Sequence, residues 1–222
     1  MAPPLLAALD LPARWRGRAR FAVLLDRFGR GEAVAALVAA WRADPARCAR
    51  LDVVVLADAA PVPGAHDVPG VPPDWPPGTP DVHVTWVDGT GVRVLLAAGD
   101  PQRAWRELVA RVDAFHLACP PADAADVSKA LVRLSADDAT VAADHPTDAL
   151  RAALRARGFA LADQAPWGAR YRPAFQPSRA PVRRVAPASA RRHAVVVGAG
   201  LAGAPAADAP ARHGREAPGV ER

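Results

Sequence analysis

Cysteine is scarce. Cys48 and Cys119 are the only two in 222 residues, and no Cys-x-x-Cys pair exists. That excludes a disulfide framework and a cysteine metal site, so no metal is expected, and a reducing compartment, the cytoplasm, is the expected setting. Lysine is scarcer: Lys129 is the sole one, so nearly all of the 28 basic residues are arginine. No apolar run approaches the roughly 20 residues of a membrane span, and no secretory leader is legible, so a membrane partner is not expected. What the chain has instead is 51% hydrophobic residues, 24 prolines and a formal net charge of +5. The apolar content supports a core. An anionic partner such as RNA and a plain Arg- and Ala-rich bias both account for the charge.

The sharpest pattern lies late, from His193 to Gly203. An apolar run, Ala194 to Val197, reads as a buried strand, and Gly198, Gly200 and Gly203 follow with the spacing of a dinucleotide-binding turn. The first glycine permits the turn, the second lets the backbone approach a pyrophosphate, and the third lets a helix pack on the strand. Glu221 falls where an acid would hold a ribose hydroxyl. The chain stops one residue later, so this stretch is expected to be only the start of a dinucleotide-binding domain.

Ahead of it, strands and helices alternate. Arg14-Trp15-Arg16-Gly17-Arg18-Ala19-Arg20 could grip phosphates and a base, although such runs more commonly lead, solvated, into a first strand. Phe21 to Leu25 reads as that strand. The turn Phe28-Gly29-Arg30-Gly31 follows, then a helix with Val34, Leu37, Val38 and Trp41 on one face. Leu51 to Leu56 is a second buried strand, with Asp58 just past its end. Strand, glycine turn, helix and strand with a terminal acid is the layout of a nucleotide or S-adenosylmethionine site, and also of simple chain reversals. Eight prolines between Ala57 and Pro80 exclude a helix there and predict an extended, exposed loop. Val82 to Asp88 and Val92 to Ala97 flank Asp88-Gly89-Thr90-Gly91, a hairpin signal. Asp100 ends that strand. Pro101 opens a helix expected to carry Trp105, Leu108 and Val109. Asp113 to Leu117 reads as a strand, Ala122 to Leu134 as a helix and Thr140 to Ala143 as a short strand. Thr147 caps a helix ending at Gly158, and Phe159 to Ala162 completes the series. His116 and His145 lie beside strands and read as packed or exposed. Proline and arginine from 170 to 192 read as a stiff spacer, with RNA tracking as the rarer alternative. The pattern predicts an α/β fold with a doubly wound parallel sheet and an inserted hairpin.

Several blocks, in this order, resemble the bifunctional tRNA 5-methylaminomethyl-2-thiouridine biosynthesis family of the MnmC type. They are Leu11-Pro12-Ala13-Arg14-Trp15, Phe28-Gly29-Arg30-Gly31, Ala40 to Pro45, Trp75-Pro76-Pro77, Gly99-Asp100, Leu108 to Phe115, Arg155 to Phe159, and Gly198 to Gly203. The resemblance implies a Rossmann-like S-adenosylmethionine methyltransferase sheet, incomplete here, over residues 1–169. A linker over 170–192 and a βαβ fragment of an FAD-binding oxidase domain over 193–222 would follow. It implies tRNA as partner and methylation of a wobble-uridine aminomethyl group as the reaction. It also implies that Gly29, Gly31, Asp58 and Asp100 hold S-adenosylmethionine: turn amides on the methionine part, Asp58 on the ribose and Asp100 near the adenine. Gly198, Gly200, Gly203 and Glu221 would be the FAD positions. Asp113 matches the family and reads as structural.

The departures are as informative. Where the family reads Glu-Thr-Gly-Phe-Gly-x-Gly, this chain has Leu25 to Gly31, losing the acid and the first glycine and placing a long cation in the turn. The acid after the second strand falls on Ala57, with Asp58 one place late. The family's substrate loop Leu-Asp-Gly-Phe-Ala-Pro is here Leu117-Ala118-Cys119-Pro120-Pro121, without its carboxylate, and a late glycine motif is reduced to Trp167-Gly168-Ala169-Arg170. In the second segment, Pro210 inside the supporting helix costs about 3 kcal/mol or more, and Pro218-Gly219 interrupts the next strand. Residues 198–222 are therefore expected to be poorly ordered and FAD not to bind. No catalytic acid or base stands out. Three readings remain open: a working methyltransferase domain, a non-catalytic remnant with weak charge-driven tRNA affinity, and a damaged reading of an intact gene. The lost motif residues weigh toward the last two.

Overall fold

A computed structural model describes residues 4–58, 66–76, 78–89, 91–119, 123–162, 168–171, 196–197 and 219–220. The chain divides into two units, Met1–Ala174 and Phe175–Arg222. In the first, the strands are β1 (Arg20–Leu25), β2 (Arg50–Ala57), β3 (Val82–Trp86), β4 (Val92–Ala98), β5 (Val112–Leu117), β6 (Ser135–Ala143), β7 (Phe159–Leu161) and β8 (Gly168–Tyr171). The helices are α1 (Pro4–Ala8), α2 (Glu32–Ala43), α3 (Pro101–Glu107), α4 (Ala124–Leu134) and α5 (Asp148–Ala156).

The eight strands form one sheet in the order β3-β4-β2-β1-β5-β6-β8-β7. β4, β2, β1, β5 and β6 run parallel, β3 pairs antiparallel with β4, and β8 lies antiparallel between β6 and β7. Successive side chains leave a strand on opposite faces. In β1, Phe21, Val23 and Leu25 therefore meet Val34, Leu37, Val38 and Trp41 of α2, while Leu24 faces Trp105, Leu131 and Leu150 beneath α3, α4 and α5. Two apolar layers thus cover one sheet, the doubly wound arrangement that the alternation predicts.

Local chemistry fixes the helix ends. Asp123 accepts from Asp126 N–H at 2.9 Å, Thr147 accepts from Leu150 N–H at 3.2 Å, and Gly158, at φ +88°, ends α5. α3 is shorter than the sequence suggests. Its carboxyl end stops at Glu107, where Arg133 donates to the carbonyls of Trp105 and Leu108, and Val109 stands 92% exposed instead of on the helix. β8 has no large-residue alternation to announce it, and it extends two residues into the stretch read as linker.

The basic run before β1 is not a free surface. Trp15 is fully buried and donates to Asp44, which also binds Arg16. Arg14 donates to Thr140 Oγ1 and to the carbonyls of Asp113 and Asp138, and Arg18 pairs with Asp113. Asp113 also accepts from Ala22 N–H at 2.9 Å, which makes it structural, as expected.

In the second unit, β9 (Val196–Val197) and β10 (Gly219–Val220) pair in parallel, Gly219 with Val196 and Val220 with Val197. The ladder therefore forms at Gly219, where the sequence predicts an interruption. Among the described residues, no helix is long and apolar enough to cross a membrane.

Candidate functional site

In an open α/β sheet, ligands bind outside the carboxyl ends of the strands, where the strand order reverses. Here that point lies between β1 and β5: β2 and β4 extend from one side of β1, and β5 and β6 from the other. The register puts the predicted first-site residues at this end. Leu25 pairs with Val55 and Ala57 with Ala98, so the turn after β1, Asp58 after β2 and Asp100 after β4 lie along one edge.

The glycine turn adopts the backbone that its residues allow. Gly29 and Gly31 sit at φ +59° and +86°, in the left-handed region that side chains disfavour. Gly31 is the N-cap of α2, and a Cβ there would lie 2.4 Å from Val68 Cγ2. One amide of the turn already meets an anion: Glu32, the first residue of α2, folds back and accepts from Arg30 N–H at 3.0 Å. The long cation of the turn is drawn aside, because Arg30 forms a two-pronged pair with Asp67 at 3.0 and 3.3 Å.

Asp67 belongs to the proline-rich segment, which corrects another expectation. Residues 66–76 are not an exposed loop: Val68, Val71 and Trp75 are buried against the turn, and Trp75 packs edge-on to Phe28 at 6.0 Å between ring centroids. Proline density excludes a helix but not docking. The buried Trp75 Nε1–H meets no acceptor among the described residues.

The acids divide. Asp58 is exposed, with no hydrogen bond to a described residue. Asp100 is committed to the fold: it caps α3, accepting from Gln102 N–H at 2.9 Å, while lining a cavity of about 600 Å³ beside β3 and β4. Gly198, Gly200, Gly203 and Glu221 lie outside the described residues.

Sequence reasoning missed the groups at the switch point itself. Asp26, directly after β1, accepts from Ala118 N–H at 2.8 Å and Cys119 N–H at 3.3 Å, tying the loop after β5 to the turn after β1. Burial pushes its carboxyl up, against the pull of those two amides and of His116. His116, buried in β5, meets Asp144 after β6 with Nε2 3.0 Å from Oδ1. Arg27 is exposed, its Nη1 3.8 Å from Cys119 Sγ. The missed signal is non-local: parallel pairing of His116 with Ala142 carries Asp144 to the histidine across 28 residues.

No family model matches the chain. It is 36% identical to the tRNA 5-methylaminomethyl-2-thiouridine biosynthesis bifunctional protein MnmC of Burkholderia ambifaria over 90% of its length. The likeness to the protein of the same name from Burkholderia orbicola is 34% over 98% of the chain, and to that from an Azoarcus species 35% over 94%. The chain is thus similar to MnmC proteins over nearly all of its own length. It spans about a third of the length of these relatives, 35% of the Burkholderia ambifaria protein. The crystal structure of MNMC2 from Aquifex aeolicus shares the fold, with a TM-score of 0.54 over 76% of this chain and 58% of that one at 17% identity. The sheet is thus of the Rossmann-like, doubly wound type. Leu25, where the sequence resemblance expects an acid, is 1% exposed and sealed into the α2 layer.

Proposed function

We propose that residues 1–171 form an S-adenosylmethionine-dependent methyltransferase domain. Its substrate would be the aminomethyl group on the wobble uridine of a tRNA, and its product the 5-methylaminomethyl-2-thiouridine of the relatives' name. The observation that carries this is the coincidence of the strand-order reversal with a two-glycine turn opening α2 and an exposed Asp58 on the neighbouring strand end, with no hydrogen bond to a described residue.

The residues present fit the cofactor's two ends. The Gly29–Gly31 turn and the start of α2 suit its carboxylate, because the Arg30 N–H between the two glycines already holds the Glu32 carboxylate. Asp58 suits ribose hydroxyls, and the unpaired Trp75 N–H beside Phe28 offers a further donor. The bound cofactor would supply an electrophilic sulfonium methyl. The chain's part is to hold the acceptor amine in line, exclude water and take up a proton, so positioning carries much of the rate. Residues 172–192 then act as a spacer, and 193–222 open a dinucleotide-binding segment, which the parallel β9–β10 pairing supports.

A second reading, a non-catalytic tRNA-binding remnant, is favoured by two observations: Glu32 fills the cradle, and Asp100 is spent on capping α3. Transfer of labelled methyl to tRNA bearing 5-aminomethyl-2-thiouridine decides between them. The methyltransferase reading requires transfer that is lost in the Gly29→Ala, Gly31→Ala double variant. No transfer, with salt-dependent tRNA binding that survives that variant, would favour the remnant.

A further inference from the structure

We infer that the His116–Asp144 pair is the proton acceptor for the substrate amine. The inference rests on the methyltransferase reading and names a residue role that this reading leaves open.

The geometry is that of an oriented base. A carboxylate can only accept, so Asp144 Oδ1, 3.0 Å from Nε2, fixes the proton of the neutral imidazole on Nε2. Nδ1 then carries a lone pair, and it meets no donor among the described residues. Ala114 belongs to the α2-side apolar layer, and Phe115 and Leu117 to the other. The period of two therefore turns His116 toward the α2 face, the side into which the glycine turn leads. Asp26 completes the arrangement: its N–H donates to the His116 carbonyl at 3.2 Å, and its carboxylate holds the next two amides of the β5 loop. The His116 backbone and the loop after it are thus tied to Asp26 after β1, and its imidazole to Asp144 after β6, at the strand-order reversal. The charged groups facing it are Asp144 and Asp26, both able to stabilise an imidazolium.

The chemistry needs such a group. An aliphatic amine is mostly ammonium at neutral pH, and only the neutral amine has the electron pair to attack. His116 Nδ1 takes the ammonium proton. The amine nitrogen then forms its bond to the methyl carbon as the carbon–sulfur bond breaks with its electron pair left on sulfur. The product leaves as a secondary ammonium that keeps the two hydrogens of the neutral amine and the positive charge lost by sulfur, and the imidazolium gives the proton it took to water.

The test uses the whole chain, with tRNA bearing 5-aminomethyl-2-thiouridine and S-adenosylmethionine as probes. His116→Gln keeps a donor for Asp144. Asp144→Asn changes a side chain 54% exposed and so tests the pair without opening the core. Both variants are expected to bind S-adenosylmethionine as the parent does. His116→Gln should lose about 100-fold in kcat with KM little changed, together with the acidic limb of the pH–rate profile. Asp144→Asn should lose less and shift that limb downward. Independently of turnover, nitrogen NMR of the parent, with the signal assigned by its loss in His116→Gln, should show a protonated Nε2 and a bare Nδ1. A bare Nε2, or a parental rate for His116→Gln at every pH, would overturn the assignment and leave the methyltransferase reading standing. Failure of the parent chain to bind S-adenosylmethionine would overturn both.

Discussion

Two aspartates at opposite ends of neighbouring strands, the buried Asp52 and the half-buried Asp26, are shifted in opposite directions. Asp52, near the amino end of β2, and Asp26, past the carboxyl end of β1, both feel burial first, and burial pushes both carboxyls up. At Asp52 the hydrogen bond from Arg50 and the charges of Arg20, Arg93 and Arg50 outweigh it, so the carboxyl lies below its usual range. Arg93 and Arg50 approach at 2.8 and 3.1 Å, and Arg20 also donates to it. At Asp26 two backbone amides and His116 do not offset burial, and the carboxyl lies above that range. The amino edge is charge-saturated: Asp44, Asp52 and Asp113 each meet an arginine. Among the described residues, the carboxyl edge holds an acid, Asp58, with no hydrogen-bond partner, a histidine with one nitrogen that meets no donor, and a glycine cradle plugged by the first residue of its own helix. Saturated groups stabilise the fold; groups left short of partners are the ones that can serve a ligand.

The largest effect should come from breaking the saturated edge. Asp52→Ala leaves three guanidinium groups facing one another. Because those side chains are 29–47% exposed and rehydrate, the cost should be about 2 kcal/mol in urea unfolding, not the larger loss of a sealed pair. Ligand affinity at the other edge should not change. Gly31→Ala should cost about 1–2 kcal/mol, because it forces a side chain into the left-handed region against Val68, and it should weaken S-adenosylmethionine binding about tenfold. A stability loss without an affinity loss would separate the turn from the site.

Glu32→Gln sharpens the comparison in the other direction. With the competing charge gone from the Arg30 amide, S-adenosylmethionine should bind about threefold tighter by calorimetry; weaker binding would mean that Glu32 builds the cradle instead of blocking it. The smallest effect is a pair of opposed slopes. Asp52 stabilises the fold fully above the ordinary carboxyl range, and that contribution is lost as pH falls through its depressed value. Asp26 stabilises below that range and loses its contribution as pH rises through its elevated value. Asp52→Asn should therefore flatten the acid loss of stability, and Asp26→Asn should steepen the net rise of stability with pH. Parallel changes in the two variants would contradict the assignment.

The central sheet was legible because β1, β2 and β5 are buried on both faces and read as apolar runs, and because α2 repeats its apolar residues at helical spacing. β8 was not, since Gly168-Ala169-Arg170-Tyr171 shows no large-residue alternation and acquires its place by pairing with Thr140 to Ala142 on one side and Phe159 to Leu161 on the other. The first half of β6, Ser135 to Asp138, was hidden by polar side chains and by Asp138 at φ +64°. The docked loop was misread because proline reports what a segment cannot do; the apolar trio Val68, Val71 and Trp75 was the overlooked cue. In the site, the glycine turn was visible because glycine is conspicuous. Asp26, His116 and Asp144 were not, because each acquires its role from a residue on another strand, brought close by pairing that no local pattern encodes.

The most direct test of a ligand site at the carboxyl edge is isothermal titration of S-adenosylmethionine into the whole chain and into Asp58→Ala, the acid that contributes no described hydrogen bond to the fold. The account predicts micromolar, one-to-one binding by the parent chain, about tenfold weaker binding by the variant and unfolding curves that superimpose. No binding by the parent up to millimolar ligand, or equal affinity in the two proteins, would contradict it.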